Sequence, residues 1–246
     1  MRKKRGSSRY YILFVFIVVL LVSSFVGIKY LVQNIDFFQI KDVQVQGNRN
    51  LETEFLSNIS QDFIGQNLFK VSPGDIMLKY SNINRIKSIS VSRKLPDRLQ
   101  IKIEEKSGYF YIRSMEGELF PITKNREILD NTQFYDNEIL PIVTTYLLSE
   151  ELAAGLFVND TWIETVFEMA AELNEIGLLE DVSEFYQEND EVVLVQTPIG
   201  YRIVPGKGEL TEKFKRYKFI RDNRSFSRND YIDLRYNNKL IIGTGV

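Results

Sequence analysis

SISVSRKLPDRLQIKIEE, residues 88–105, is the stretch on which the fold turns. Ile89, Val91 and Arg93 fall on one side of an extended chain and Ser88, Ser90 and Ser92 on the other, because successive strand residues alternate. Leu95-Pro96-Asp97-Arg98 then carries turn chemistry, with proline pre-set for the first central position. Leu99, Ile101 and Ile103 alternate in turn with Gln100, Lys102 and Glu104. Two strands with one polar and one apolar face need a cover on the apolar side.

The cover is written just upstream. Leu51 to Phe63 follows helical spacing, with Phe55, Ile59 and Phe63 four apart and Gly65 as the stop. Ser72-Pro73 with Asp75 predicts a second, short helix through Met77 and Tyr80, Ser72 acting as the N-cap. Before both, Val43 and Val45 alternate with polar residues up to Gly47-Asn48, a strand running into a turn. The unit is β-α-α-β-β between Phe38 and Glu105.

Further toward the N-terminus, Tyr10 to Ile28 holds no charged side chain. At ~1.5 Å per residue such a helix crosses a ~30 Å hydrocarbon layer. Arg2, Lys3, Lys4, Arg5 and Arg9 precede it and only Lys29 follows closely, so the positive-inside bias keeps residues 1–9 cytoplasmic and sends the rest outward. The run has no Ala-x-Ala-like site after it and exceeds a signal core, which favours an uncleaved anchor over residues 10–32; a cleaved signal peptide is the alternative. Beyond residue 29 stand 25 Lys and Arg against 33 Asp and Glu, a net charge of −8. That balance suits neither nucleic acid nor phosphorylated substrates. The chain has no cysteine and no histidine, which removes disulfides, thiolate metal sites and every histidine-based nucleophile system. No cofactor or metal site is expected.

Downstream of Gly108 the chain becomes strand-rich. Tyr109 to Ile112 and Leu119 to Ile122 flank a Glu116-Gly117 turn, a hairpin signal. Thr161-Trp162-Ile163-Glu164 has capping-box spacing and opens a helix with the face Ile163, Val166, Phe167, Ala170 and Leu173, ending at Gly177. Val192 to Val195 and Tyr201 to Val204 form a hairpin around Pro198-Ile199-Gly200. Leu210, Phe214, Tyr217 and Ile220 line a further helix on which Lys213, Lys215, Arg216 and Lys218 read as a solvated basic face, with contact to a partner's acidic surface as the alternative. Tyr231 to Tyr236 alternates as a strand, followed by Asn237-Asn238 and Lys239 to Ile242. The fold class is α+β: a membrane helix, the small unit at 38–106, and a larger mixed or antiparallel sheet with flanking helices at 107–246.

Val43-x-Val45-x-Gly47-Asn48, Gly65-x-Asn67-Leu68-Phe69 and Val91-x-Arg93-x-Leu95-Pro96-x-x-Leu99-x-Ile101-x-Ile103-x-Glu105 together resemble the POTRA domain of the FtsQ/DivIB cell-division proteins. The block Tyr231 through Gly243 is similar to the terminal strand region of the same family. The resemblance implies a non-enzymatic, bitopic protein of the division septum whose terminal strand docks partners of the FtsB and FtsL kind. The residues it assigns to the partner are Tyr231, Ile232, Asp233, Leu234, Arg235, Tyr236 and Gly243. A sheet edge supports that assignment physically, because its unpaired backbone groups can take up an added strand.

Two rivals come from other classes. A POTRA-type chaperone for secreted barrels expects tandem units or a following barrel. A wall enzyme would run on carboxylates, among which Glu104-Glu105, Glu116 with Glu118, and Glu150-Glu151 stand out without a spacing that selects one pair. Surface charge is the simpler reading of all three. Asp233 and Arg235 read as a weak exposed pair. Gly206-Lys207-Gly208 lacks the spacing of a phosphate loop.

Overall fold

A computed structural model describes residues 7–130, 139–236 and 238–244. Arg2, Lys3, Lys4 and Arg5, on which the orientation rests, lie outside the described residues. The chain divides into two compact units, one of Met1–Asn82 with Ile86–Glu104, the other of Ile83–Arg85 with Glu105–Val246.

The first unit opens with α1 (Ser7–Asn34), whose segment Tyr10–Asn34 is long and apolar enough to span a bilayer. After a short 3-10 turn (Asp36–Phe38) come β1 (Asp42–Gln46), α2 (Thr53–Ser60), α3 (Pro73–Tyr80), β2 (Ile86–Lys94) and β3 (Arg98–Glu105). The sheet order is β1-β3-β2, with β1 parallel to β3 and Val43 opposite Leu99. The strand β3 is therefore central, and its alternation is as expected: Leu99, Ile101 and Ile103 are buried while Lys102 and Glu104 are exposed. Leu56, Ile76 and Tyr80 supply the covering side chains from the helices. The Tyr80 hydroxyl donates to the Leu56 carbonyl (2.8 Å), so its polar end is satisfied within the core. Gly47 has φ +89°, and a Cβ there would meet the Ile103 carbonyl oxygen at 2.4 Å, so both turn and close approach demand glycine.

The cap of α3 is formed as the sequence predicts: Asp75 N donates to Ser72 Oγ (3.1 Å) and Ser72 N to the Asp75 carboxylate (3.3 Å). The helix expected over Leu51 to Phe63 is shorter. It stops at Ser60 and Gln61–Phe63 tightens into a 3-10 turn, with the Ser60 hydroxyl bonding back to Ser57 O (2.9 Å).

The second unit contains β4 (Phe110–Arg113), β5 (Leu119–Ile122), β6 (Ile142–Thr144), α4 (Thr161–Ile176), β7 (Val182–Glu188), β8 (Glu191–Gln196), β9 (Arg202–Val204), α5 (Leu210–Asn223), β10 (Asp230–Asp233) and β11 (Ile241–Thr244). They form one eight-stranded mixed sheet in the order β11-β10-β9-β8-β7-β6-β4-β5. Phe110, Ile112, Val143, Phe185, Leu194, Ile203 and Ile232 build one core with Ile163, Val166 and Leu173 of α4 and Phe214 and Tyr217 of α5. Both helices thus cover the same face of the sheet.

Two sequence expectations need correction. The N-cap of α4 is Asp160, whose Oδ1 accepts from Ile163 N (3.0 Å), so Thr161 is the first helical residue and no Thr-x-x-Glu box forms. Glu164 instead accepts from the Arg126 guanidinium (3.0 Å). The strand β7 was not foreseen at all. A bulge between Val182 and Glu184 puts the buried Val182 and Phe185 three residues apart, which hides the period of two.

Candidate partner-binding edge

The chain after α5 enters β10, which pairs on both sides. Tyr231, Ile232 and Asp233 lie opposite Arg202, Ile203 and Val204 of β9 in parallel, and opposite Gly243, Ile242 and Ile241 of β11 in antiparallel register. The edge strand on this side of the sheet is therefore β11, with β10 one strand in and β5 at the opposite edge. Ile232, Asp233 and Leu234 are buried, Tyr231 is half-buried, and Arg235 and Tyr236 are exposed. Ile241, 40% exposed, and the exposed Thr244 were not among the residues singled out from sequence, although they occupy the edge itself.

The strand expected over Tyr231 to Tyr236 ends early for a local reason. Arg235 N donates to Asp233 Oδ1 (2.9 Å), an Asx-type turn that takes the backbone out of the ladder. The guanidinium folds back as well, with Nε 3.0 Å from Oδ1 and Nη2 2.6 Å from Oδ2. This pair is no weak surface contact, because the Asp233 side chain is only 5% exposed. The bonds from Arg235 outweigh burial and hold the Asp233 carboxyl below the usual aspartate range. Gly206, at φ +66°, makes the arrangement possible, since a Cβ there would fall 2.7 Å from Arg235 Cγ.

A lowered folded pKa adds stability that is fully present above the unfolded value near ~4 and is lost as pH falls through the folded value. Asp233→Asn should therefore melt below the parent at pH 7, and the gap should close as pH drops toward ~3. Thermal melts across that range check it. A gap unchanged down to pH 3 would show that the carboxylate charge is not the stabilising element.

Three of the four basic residues read as a solvated face of α5, Lys213, Arg216 and Lys218, instead bond backbone carbonyls. Lys213 is 1% exposed, and its ammonium donates to the carbonyls of Lys207 (2.7 Å) and Pro205 (3.2 Å). The Gly206-Lys207-Gly208 loop thus wraps a cation. Lys218 Nζ donates to Ile176 O (2.6 Å) at the C-terminal end of α4, where a cation is favoured. Arg216 reaches the carbonyls of Tyr236 (3.3 Å) and Lys239 (3.4 Å), tying α5 to the β10–β11 connection. Among the four, Lys215 is exposed and pairs with Glu212. Lys239 Nζ sits 4.6 Å from the Tyr236 ring centroid, so that ring lies against a cation at the mouth of the connection.

Four of the six carboxylates considered for acid-base work are engaged elsewhere. Glu105 is buried beside Arg85 (3.7 Å), which corrects its reading as surface charge. Glu104 is held below the usual range by hydrogen bonds from Lys87 and Ser88, and Glu116 by the backbone N–H of Ser149. Glu151 accepts from Leu148 N (2.8 Å).

Residues 38–106 match the family described as POTRA domain, FtsQ-type. Over 136 residues the chain is 26% identical to the cell division protein DivIB of Clostridium botulinum (strain Hall), covering 55% of this chain and 50% of that protein. It is 30% identical over 94 residues to DivIB of Clostridium acetobutylicum, 38% of this chain and 37% of the relative. To the cell division protein FtsQ of Syntrophotalea carbinolica it is 22% identical over 219 residues, 84% of this chain and 74% of the relative. The chain spans about half the length of the Clostridium botulinum DivIB proteins it matches.

Proposed function

We propose that this chain, a member of the FtsQ/DivIB family by its FtsQ-type POTRA domain and its likeness to DivIB and FtsQ, is a non-catalytic scaffold of the division septum. Residues 1–9 stay in the cytoplasm, residues 10–32 span the membrane, and the POTRA domain (38–106) and the sheet domain (107–246) face outward. The sheet domain docks bitopic partners of the FtsB and FtsL type and so helps to assemble or regulate septal wall synthesis. One observation carries this reading: an eight-stranded sheet ends in β11, whose outer backbone is available for strand addition, with the exposed Tyr236 beside it. The lowered carboxyls of Glu104 and Glu116 favour scaffolding over catalysis, since a general acid at neutral pH needs a raised value.

Tyr236 is the side chain to test. An exposed tyrosine is a rigid, amphipathic anchor of the kind that dominates interfaces, and neither Ile232 nor Leu234 can be reached without unfolding the sheet. Tyr236→Ala should weaken an FtsB-like fragment by ~2 kcal/mol, about thirtyfold, with the domain still folded. Calorimetry on the full chain in detergent measures it. Unchanged affinity in a folded variant removes Tyr236 from the interface.

A further inference from the structure

The membrane helix and the POTRA fold are joined by a cap. The last carbonyls of any helix lack intrahelical donors, and near the hydrocarbon boundary water is scarce to satisfy them. Asn67, 8% exposed, donates through Nδ2 to Val32 O (3.0 Å) and Ile35 O (3.3 Å), while its Oδ1 accepts from Phe69 N (2.9 Å). Lys70 Nζ donates to Asn34 Oδ1 (3.1 Å). Backbone bonds close the junction further: Ile40 N to Gln66 O (2.9 Å), Gly65 N to Ile40 O (2.8 Å) and Leu68 N to Phe38 O (2.8 Å). Phe38 and Phe69 stack edge-on at 5.1 Å. The five residues between α1 and Ile40 are therefore zipped onto the loop before α3 and do not form a free tether.

Height decides what this junction touches. A ~30 Å hydrocarbon layer takes about 20 helical residues, which from Tyr10 reaches Lys29. Asn34 then lies ~7 Å further out, at the outer boundary of the polar headgroup layer, whose thickness is ~5–7 Å per leaflet. Around that level large apolar side chains are exposed beside a polar groove: Tyr30 is 69% exposed, Ile35 44%, Phe37 62% with its ring edge-on to Phe38, and Ile64 52%. Ile64 adjoins Gly65, which lines the groove against Gln33–Asp36, so it sits beside the helix end. The acidic groups nearby are engaged, Asp36 by Gln39 (2.7 Å) and Asp62 by Lys79. Aromatic and aliphatic side chains at this depth match the interfacial belt of membrane proteins.

We infer that Ile35, Phe37 and Ile64 form a lipid-facing collar with which the POTRA domain rests in the outer leaflet, held there by the Asn67 cap on the membrane helix. This rests on the reading of α1 as a membrane span. The occupant is the interfacial zone of the bilayer itself, continuous with that span. The consequence is a POTRA domain of set height and tilt over the membrane.

The chain has no cysteine, so single-cysteine variants of the full chain take one environment-sensitive fluorophore each. Phe16→Cys, Phe37→Cys, Ile64→Cys and Lys102→Cys are reconstituted in vesicles of phosphatidylethanolamine and phosphatidylglycerol carrying lipid-borne quenchers, shallow or deep. Positions 37 and 64 should be quenched by the shallow label at least twofold more than position 102. Adding Asn67→Asp to Ile64→Cys keeps the acceptor for Phe69 N but removes the Nδ2 donor to Val32 O and Ile35 O, and should at least halve the shallow quenching at 64. Deep quenching at 16 with position 64 no more quenched than 102 overturns the collar. Full quenching at 64 in the Asn67→Asp background overturns the cap. Absence of deep quenching at 16 defeats the membrane span, and the collar with it.

Discussion

Ile242→Pro and Gly243→Pro should each lower the affinity of an FtsB-like partner by at least ~100-fold, about 2.8 kcal/mol. Strand addition draws its affinity from main-chain hydrogen bonds; a proline facing outward removes a donor and places its ring where the incoming backbone must lie, while one facing inward detaches β11 from β10 and so spoils the edge itself. Successive residues of a strand send their N–H groups to opposite sides, so of these two neighbours one donates toward β10 and the other toward the open edge. The two variants should therefore separate in stability while agreeing in binding. The outward-facing proline should leave the unfolding midpoint unchanged, and the inward-facing one should loosen β11. Glycine at 243 leaves the ring room, since an added Cβ there meets nothing within 4 Å. Wild-type affinity in both variants would place the partner away from this edge.

The largest effect on stability is expected at Phe185. It is fully buried on β7, near the middle of the eight-stranded sheet, and its ring lies 5.6 Å from Phe110 at a T-shaped angle of 77°. Phe185→Ala should cost ~3–5 kcal/mol, the sum of lost transfer energy, an unfilled cavity and the lost aromatic pair. Phe219→Ala, at a ring 67% exposed on α5, should change stability by no more than ~0.5 kcal/mol. Denaturant unfolding of the full chain in detergent, followed by a probe in the second unit, gives the comparison. Equal costs at the two positions would mean that β7 is not the strand on which this core is built.

These two sites differ in how far the sequence revealed them. The strand at Tyr231 was legible, though not its early end, because Tyr231 to Tyr236 alternates, a local signal. The centrality of Phe185 was not, because the bulge at Val182–Glu184 spaces Val182 and Phe185 three apart. Lys213 was misread for a related reason. On a helix, sequence spacing placed it with Lys215, Arg216 and Lys218, and charge alone implied solvent. Its burial depends on two carbonyls of the 205–207 loop, a contact that no periodicity encodes.

What the sequence by itself determined was everything with a short period or a continuous run. A helix from Tyr10 long and apolar enough to cross a bilayer follows from length and hydropathy, and the β3 face of Leu99, Ile101 and Ile103 from a period of two. The α3 cap follows from residue types three apart. Only the tertiary structure decided which strands end the sheet, since order across a sheet is set by pairing between distant segments. It also decided that Asp233 is a buried, lowered carboxylate, because Arg235 must fold back and Gly206 must approach from β9 before the pair exists. Local chemistry chooses the elements; the burial of backbone and charge by far-off residues chooses which of them face a partner.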